Sequence, residues 1–152
     1  MKKIKVALAA FVLAGLTLTS CGSDDNGGGT PAEITGKWNP TKTVTKIGTT
    51  TDTQDYVNNT TTCDKDYFEF VGTTGGNLRD VIFVSGQNGC SEDLGDPATW
   101  TKADKALTIV GGDLEGSYEI TTLSGSDLVI SDKFTQAGQE VSITYHFRKA
   151  AN

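Results

Sequence analysis

The chain is short of the residues that most catalytic and metal chemistry needs. Its 152 residues include one histidine, one methionine, three prolines and three cysteines. A nucleophile–base pair requires a second positioned group, and no sequence pattern supplies one beside His146. There is no Cys-x-x-Cys, and no histidine lies near a cysteine, so a transition-metal site has no ligand set. Basic residues are scarce as well: 13 Lys plus Arg stand against 19 Asp plus Glu, for a net charge of −6. A phosphate-binding surface needs clustered cations, which argues against nucleic acid as a partner. No apolar run reaches the ~20 residues of a membrane span. No stretch carries a helical stripe either. These absences leave a small, acidic protein for which neither an enzyme activity nor a resident cofactor or metal is expected.

The N-terminal residues read as an address. Lys2, Lys3 and Lys5 precede an apolar run, Val6 to Leu18, broken by Gly15 and Thr17. Those are the proportions of a secretory signal peptide over residues 1–20. The run ends in Leu18-Thr19-Ser20-Cys21, which resembles the lipobox of bacterial lipoproteins. The resemblance implies that Cys21 carries the lipid anchor and becomes the first residue after cleavage. An ordinary signal peptide with a chance cysteine is the competing reading. Loss of the three lysines would take the net charge from −6 to −9. An acidic body is repelled by an anionic bilayer, so attachment to the membrane would rest on the acyl chains of Cys21. Residues 21–33, with four Gly and two Asp and little apolar surface, have the composition of a flexible tether. Ser23-Asp24-Asp25 also resembles the acidic export signal of surface-displayed Bacteroidetes lipoproteins. The expected location is the outer membrane, with exposure at the cell surface favoured over an inward-facing anchor.

Cys63 and Cys90 remain, an even pair in an exported chain, 27 positions apart. An oxidising compartment favours a disulfide. The chain-entropy model gives such a loop on the order of 3 kcal/mol. Two free thiols used for metal or redox work are the alternative.

From Ile34 onward, short alternating runs are separated by Gly, Asn, Asp and Ser. In the segment Glu140 to Lys149, Val141, Ile143, Tyr145 and Phe147 alternate with Ser142, Thr144, His146 and Arg148, the pattern of a half-buried strand. Similar alternation marks strands around Trp38, Phe68 and Phe70, Trp100, Leu107 and Ile109, Tyr118 and Ile120, and Leu128 and Ile130. In Leu78 to Ser85 apolar residues occupy both faces, so Ile82 and Val84 compete with Val81 and Phe83 for the interior. Eight strands in sequence order predict an all-β domain over residues 34–150, an antiparallel up-and-down barrel that removes its own edges. A two-sheet sandwich competes with it. Leu, Ile, Val and Phe make up only about one-fifth of the residues from Cys21 on, close to the border of disorder. The core must therefore be aromatic-rich and its stability modest.

Several of these elements also carry a family likeness. Gly36-Lys37-Trp38 looks like the Gly-x-Trp of lipocalins. It is followed in order by Cys63-Asp64-Lys65-Asp66-Tyr67-Phe68-Glu69-Phe70, Cys90, Thr99-Trp100-Thr101, Ala106-Leu107-Thr108-Ile109 and Tyr118-Glu119-Ile120-Thr121-Thr122-Leu123. Together these resemble the lipocalin-like lipoprotein domains of Bacteroidetes, from about Ile34 to Lys149. The resemblance implies an eight-stranded barrel outside the inner membrane, with Trp38 plugging one end. Lipocalins often set an Arg of the last strand across that Trp. Arg148 is the candidate here, although alternation puts it on the face opposite Phe147. Gly48 to Thr62 fits no strand.

The acids Asp64 with Asp66, and Glu92-Asp93 with Asp96, match no calcium-loop spacing and read as solvated loop residues. Asn58-Asn59-Thr60-Thr61 reads as polar loop. His146 falls on the outer face. The functional expectation is a monomeric, non-catalytic barrel that binds a small hydrophobic ligand. The residues expected to line it are Trp38, Phe68, Phe70, Phe83, Trp100, Tyr118, Ile120, Leu128, Ile130, Ile143, Tyr145 and Phe147, with Leu107 and Ile109 among them. Rings of that number could equally fill the interior, leaving an envelope or interaction module that works through its open-end loops and the Gly86 to Pro97 segment. A continuous apolar pocket of ~300 Å³ or more separates the two.

Overall fold

A computed structural model describes residues 32–151. The segments expected to be a signal peptide (1–20) and a tether (21–33) lie outside the described residues, Cys21 included, except for the tether's last two positions. Ten strands follow one another, and no helix occurs among the described residues: β1 (Gly36–Ile47), β2 (Thr50–Asp55), β3 (Tyr67–Phe70), β4 (Gly75–Gly86), β5 (Gly89–Leu94), β6 (Ala98–Ala103), β7 (Ala106–Val110), β8 (Gly116–Leu123), β9 (Asp127–Gln136) and β10 (Gln139–Lys149). Eight of them form a closed antiparallel ring in the order β1-β3-β4-β6-β7-β8-β9-β10, with β10 returning to β1. Closure runs from Trp38 opposite Lys149 to Ile47 opposite Val141. That ladder decides for a barrel over a sandwich.

The two strands outside the ring correct the expected count. Both β1 and β4 are twelve residues long and outrun the short ring strands β3 and β6 that border them. One edge of β1 pairs with β3 at Gly36–Trp38 and with β2 at Lys42–Ile47. One edge of β4 pairs with β6 at Gly75–Leu78 and with β5 at Val81–Gly86. So the segment Gly48 to Thr62, which fitted no strand, supplies β2, and Gly86 to Pro97 contains β5. Every residue of both is exposed. Neither has a buried face to impose the period of two on which strand recognition depends.

The lower barrel is solid. Trp38, Phe70, Trp100, Leu107, Ile109, Leu128 and Ile130 are all essentially inaccessible. Phe70 meets Trp100 edge-on at 5.4 Å between ring centroids, and Phe68 meets Phe147 edge-on at 5.8 Å. Both geometries suit the ring quadrupoles. The indole nitrogens are satisfied: Trp38 Nε1 donates to the Ile34 carbonyl at 2.6 Å and Trp100 Nε1 to the Val71 carbonyl at 3.1 Å. The cation across Trp38 is Lys149, whose Nζ stands 4.3 Å from the ring centroid and also donates to the Thr35 carbonyl. Arg148 points outward and meets Asp127 at 3.5 Å. Strand alternation accounts for the exchange, because Lys149 shares the inward face of Phe147.

Above β3 the wall between β1 and β4 is not a strand. Residues 56–66 bridge the gap, and Asp66, 1% exposed, organises them. Its Oδ2 accepts from the Tyr56 hydroxyl at 2.9 Å and the Asn59 amide at 2.8 Å, and its Oδ1 accepts from the Phe83 amide at 2.8 Å. Asn59 Nδ2 donates to the Phe83 carbonyl at 2.8 Å. Side chains thus take up backbone groups of β4 that a neighbouring strand would otherwise satisfy. Asp66 and Asn59 are therefore structural ties, contrary to the expectation of solvated loop. Outside this bridge the Cys63–Cys90 disulfide joins it to β5.

Candidate functional site at the barrel mouth

The chain enters at the end plugged by Trp38, and the opposite end is left open. Its opening follows from local sequence. Pro40 has no amide to donate, and the β1–β10 register shifts between Pro40 and Lys42 as a bulge. The extra residue, Thr41, turns its carbonyl to the Tyr56 amide at 2.9 Å. That bond brings Tyr56 over the rim. Across the mouth the β7–β8 loop carries Asp113 and Leu114; the Leu114 carbonyl accepts from the Tyr118 hydroxyl at 3.0 Å, which ties the loop to the barrel.

Between these parts lies a cleft of about 220 Å³, bordered by Pro40, Thr43, Tyr56, Phe68, Leu114, Tyr145 and Phe147, with Asp113 at its rim. Lys42 and His146 also border it, but they form the register pair between the inward pairs Pro40–Phe147 and Thr43–Tyr145. Alternation directs their side chains to the outer surface. Two larger depressions, of about 420 and 550 Å³, lie on the outer wall among Lys37, Glu92, Lys65 and Arg148. They are wider but bordered by solvated ions. The mouth cleft is the one built from inward-facing rings.

The expected lining residues divide into three groups. Trp38, Phe70, Trp100, Tyr118, Ile120, Leu128, Ile130 and Phe147 are buried, and apart from the edge that Phe147 shows to the cleft they fill the barrel. Leu107 and Ile109 are buried with them. Phe68 and Tyr145 are partly buried and border the cleft, and Ile143 sits above Tyr145 on the same inward face, in register with Thr45. Phe83 is a correction. The register pairs Phe68 with Asp80 and Phe70 with Leu78, so Leu78, Asp80 and Ile82 face inward. Tyr67, Val81 and Phe83 therefore make a small cluster on the outer wall, with Tyr67 and Phe83 rings 6.2 Å apart and Lys37 4.2 Å above Tyr67. Both β4 faces are covered here, inside by the core and outside by the bridge, which is why the sequence is apolar on both.

Sequence reasoning missed Tyr56, Asp80 and Asp113. Tyr56-Val57 was the apolar pair within an otherwise Thr-rich stretch, the one signal there that a residue turns inward. Asp80 is pushed up to about 6, first by burial and then by Asp113 and Asp66. Burial, the Asp66 hydrogen bond and nearby carboxylates raise the Tyr56 hydroxyl well above its ordinary value. Burial likewise pushes Tyr118 up to about 12 and raises Tyr145, with Asp132 adding to both. These phenols are neutral donors at physiological pH. His146 is lowered by burial and by Lys42. Glu92 accepts from the Tyr67 hydroxyl at 3.0 Å. Among the described residues no three His, Cys, Asp or Glu side chains converge as a metal site requires.

Comparison with known proteins adds little to this geometry. No protein-family model matches the chain, and no curated protein matches it. Among solved structures it is similar to the bovine odorant binding protein deswapped triple mutant. Identity is 20% over 77% of this chain and 74% of that one, with a TM-score of 0.36. A likeness at that level assigns neither ligand nor activity.

Proposed function

We propose that the protein is an outer-membrane lipoprotein, held by acyl chains on Cys21 and displayed at the cell surface, whose lipocalin-like barrel binds one small hydrophobic molecule without transforming it. The observation that carries the binding half is the mouth cleft, open to solvent and bordered by Phe68, Tyr145, Phe147 and Leu114. Its ~220 Å³ falls short of the ~300 Å³ that separates a binding calyx from a packed barrel, so the binding reading survives only for a shallow mouth site and a ligand of about one ring and a short chain. The deep calyx first expected is occupied by Trp38, Phe70 and Trp100. The lipobox-like Leu18-Thr19-Ser20-Cys21 supports the anchoring half.

Native mass spectrometry of protein taken from its own cells tests both halves. A retained small molecule and an acyl mass lost in Cys21→Ala are the expected results. An unacylated, ligand-free chain overturns the proposal. Protease treatment of intact cells tests display, since a surface protein is cleaved without lysis.

The solid lower core favours a second reading, a packed barrel acting as an envelope interaction module. Its contact surface would be the exposed β1–β2 and β4–β5 hairpins, where Leu94 and Ile47 are exposed. Mass spectrometry showing acylation with no small molecule would favour it.

A further inference from the structure

The inward positions around the mouth are unequally charged. On the projecting strands and the upper ring, alternation directs Asp52, Asp80, Asp93 and Asp132 inward, since each is a register partner of an inward residue: Thr45, Phe68, Ile82 and Ile143 respectively. Asp113 joins them from the β7–β8 loop at the cleft itself. No lysine or arginine shares those positions among the described residues. Lys42, Lys46 and Lys133 fall on the outward face of their strands, as register partners of His146, Ser142 and Ser142. Lys102 and Lys149 lie at the plugged end, where Lys102 pairs with Leu107 and Lys149 with Trp38. Apart from Lys42, which borders the cleft from an outward position, the cations of the barrel wall face away from the opening or sit at its far end.

Resting on the reading of the mouth as a ligand site, we propose that this cleft selects a small organic ammonium ion: Phe68, Tyr145 and Phe147 hold its apolar body, and Asp113 at the rim holds its charge. Three features of the site fit that chemistry together. Aromatic rings attract a cation to their faces as well as an apolar group. An opening lined by one sign of charge within low-dielectric walls concentrates counter-ions. Burial is the first cause of the elevated Asp80, and the further rise from Asp113 and Asp66, with no Lys or Arg opposing it, fits carboxylates facing the mouth without a compensating cation. A bound ammonium would supply that cation. An anionic ligand such as a fatty carboxylate would meet the same acids as repulsion.

Three probes of one shape test the charge alone: 2-phenylethylamine, 2-phenylethanol and phenylacetate, titrated at neutral pH with amide chemical shifts of Thr43, Leu114 and Tyr145 as the readout. The ammonium is expected to bind about tenfold or more tighter than the alcohol, and phenylacetate most weakly. In Asp113→Asn the ammonium-to-alcohol ratio should fall towards one, and Asp113→Glu should restore it. If the alcohol shifts the mouth amides at equal or lower concentration than the ammonium, the charge inference is overturned while the cleft remains a ligand site. If none of the three moves those amides, the reading of the mouth as a ligand site falls and this inference falls with it.

Discussion

Asp66 accepts three hydrogen bonds on one carboxylate, two of them from backbone amides that have no strand beside them. Asp66→Ala strands both amides, each worth ~1–3 kcal/mol when left unpaired. A loss of about 2–4 kcal/mol, or roughly 10 °C in Tm, is expected in thermal denaturation. Asp66→Asn keeps one acceptor and should fall between. Asp80 behaves oppositely. Its folded pKa of about 6 lies above the ordinary carboxylate value, so the folded state holds the proton more tightly than the unfolded chain. Its contribution to stability is full at low pH and is lost as pH rises from about 4 through 6. Asp80→Asn should therefore raise stability at pH 7.5 on the order of 1 kcal/mol, once solvent screening of a half-exposed group is allowed for. The gain should vanish near pH 4. Urea titrations at the two pH values check it, and an equal effect at both would contradict the sign.

Elements show what alternation can and cannot reveal. The ring strands around Trp38, Trp100, Tyr118 and Tyr145 were legible because each has one face in the core and one in water. The exposed strands β2 and β5 have no such contrast, and β4 has apolar residues on both faces, so Phe83 was assigned inward and Asp80 passed unnoticed. The mouth was the least legible part. Its cleft depends on a bulge at Thr41, a tyrosine from an unassigned segment and an aspartate from a loop, which only tertiary contacts bring together. Two elements invite tests. The Cys63–Cys90 bond ties the 56–66 bridge to β5, outside the ring. Replacing both by Ser should cost about 3 kcal/mol. Hydrogen exchange should then accelerate first in residues 56–66 and 89–94, ahead of β7 to β9. In the β9–β10 turn, Ala137 has φ of 50°, beside Gly138 at 77°. Such a two-residue turn prefers Asn-Gly, so Ala137→Asn should stabilise by about 0.5–1 kcal/mol in chemical denaturation.

The molecule as a whole depends on the seam between its first and last ring strands. Each residue in the middle of β10 has a strand on both sides, β1 and β9. Thr144→Pro removes a donor there and disturbs both ladders, at roughly 3 kcal/mol or more. Thr53→Pro in β2, which borders β1 alone, should cost about 1 kcal/mol or less. Circular dichroism melts of the two variants separate ring from appendage. Equal losses would mean that the projecting hairpins are integral to the closed structure.

The Ala150 amide donates to the Lys37 carbonyl at 3.0 Å, so the chain leaves the barrel beside the place where it came in. Within the described residues, entry to and exit from the barrel share the blocked pole, and the aromatic vestibule occupies the other. A fluorescent reporter or a solid support grafted at Ala150 would thus sit at the pole opposite the vestibule, and titrations on protein captured there should match those in free solution.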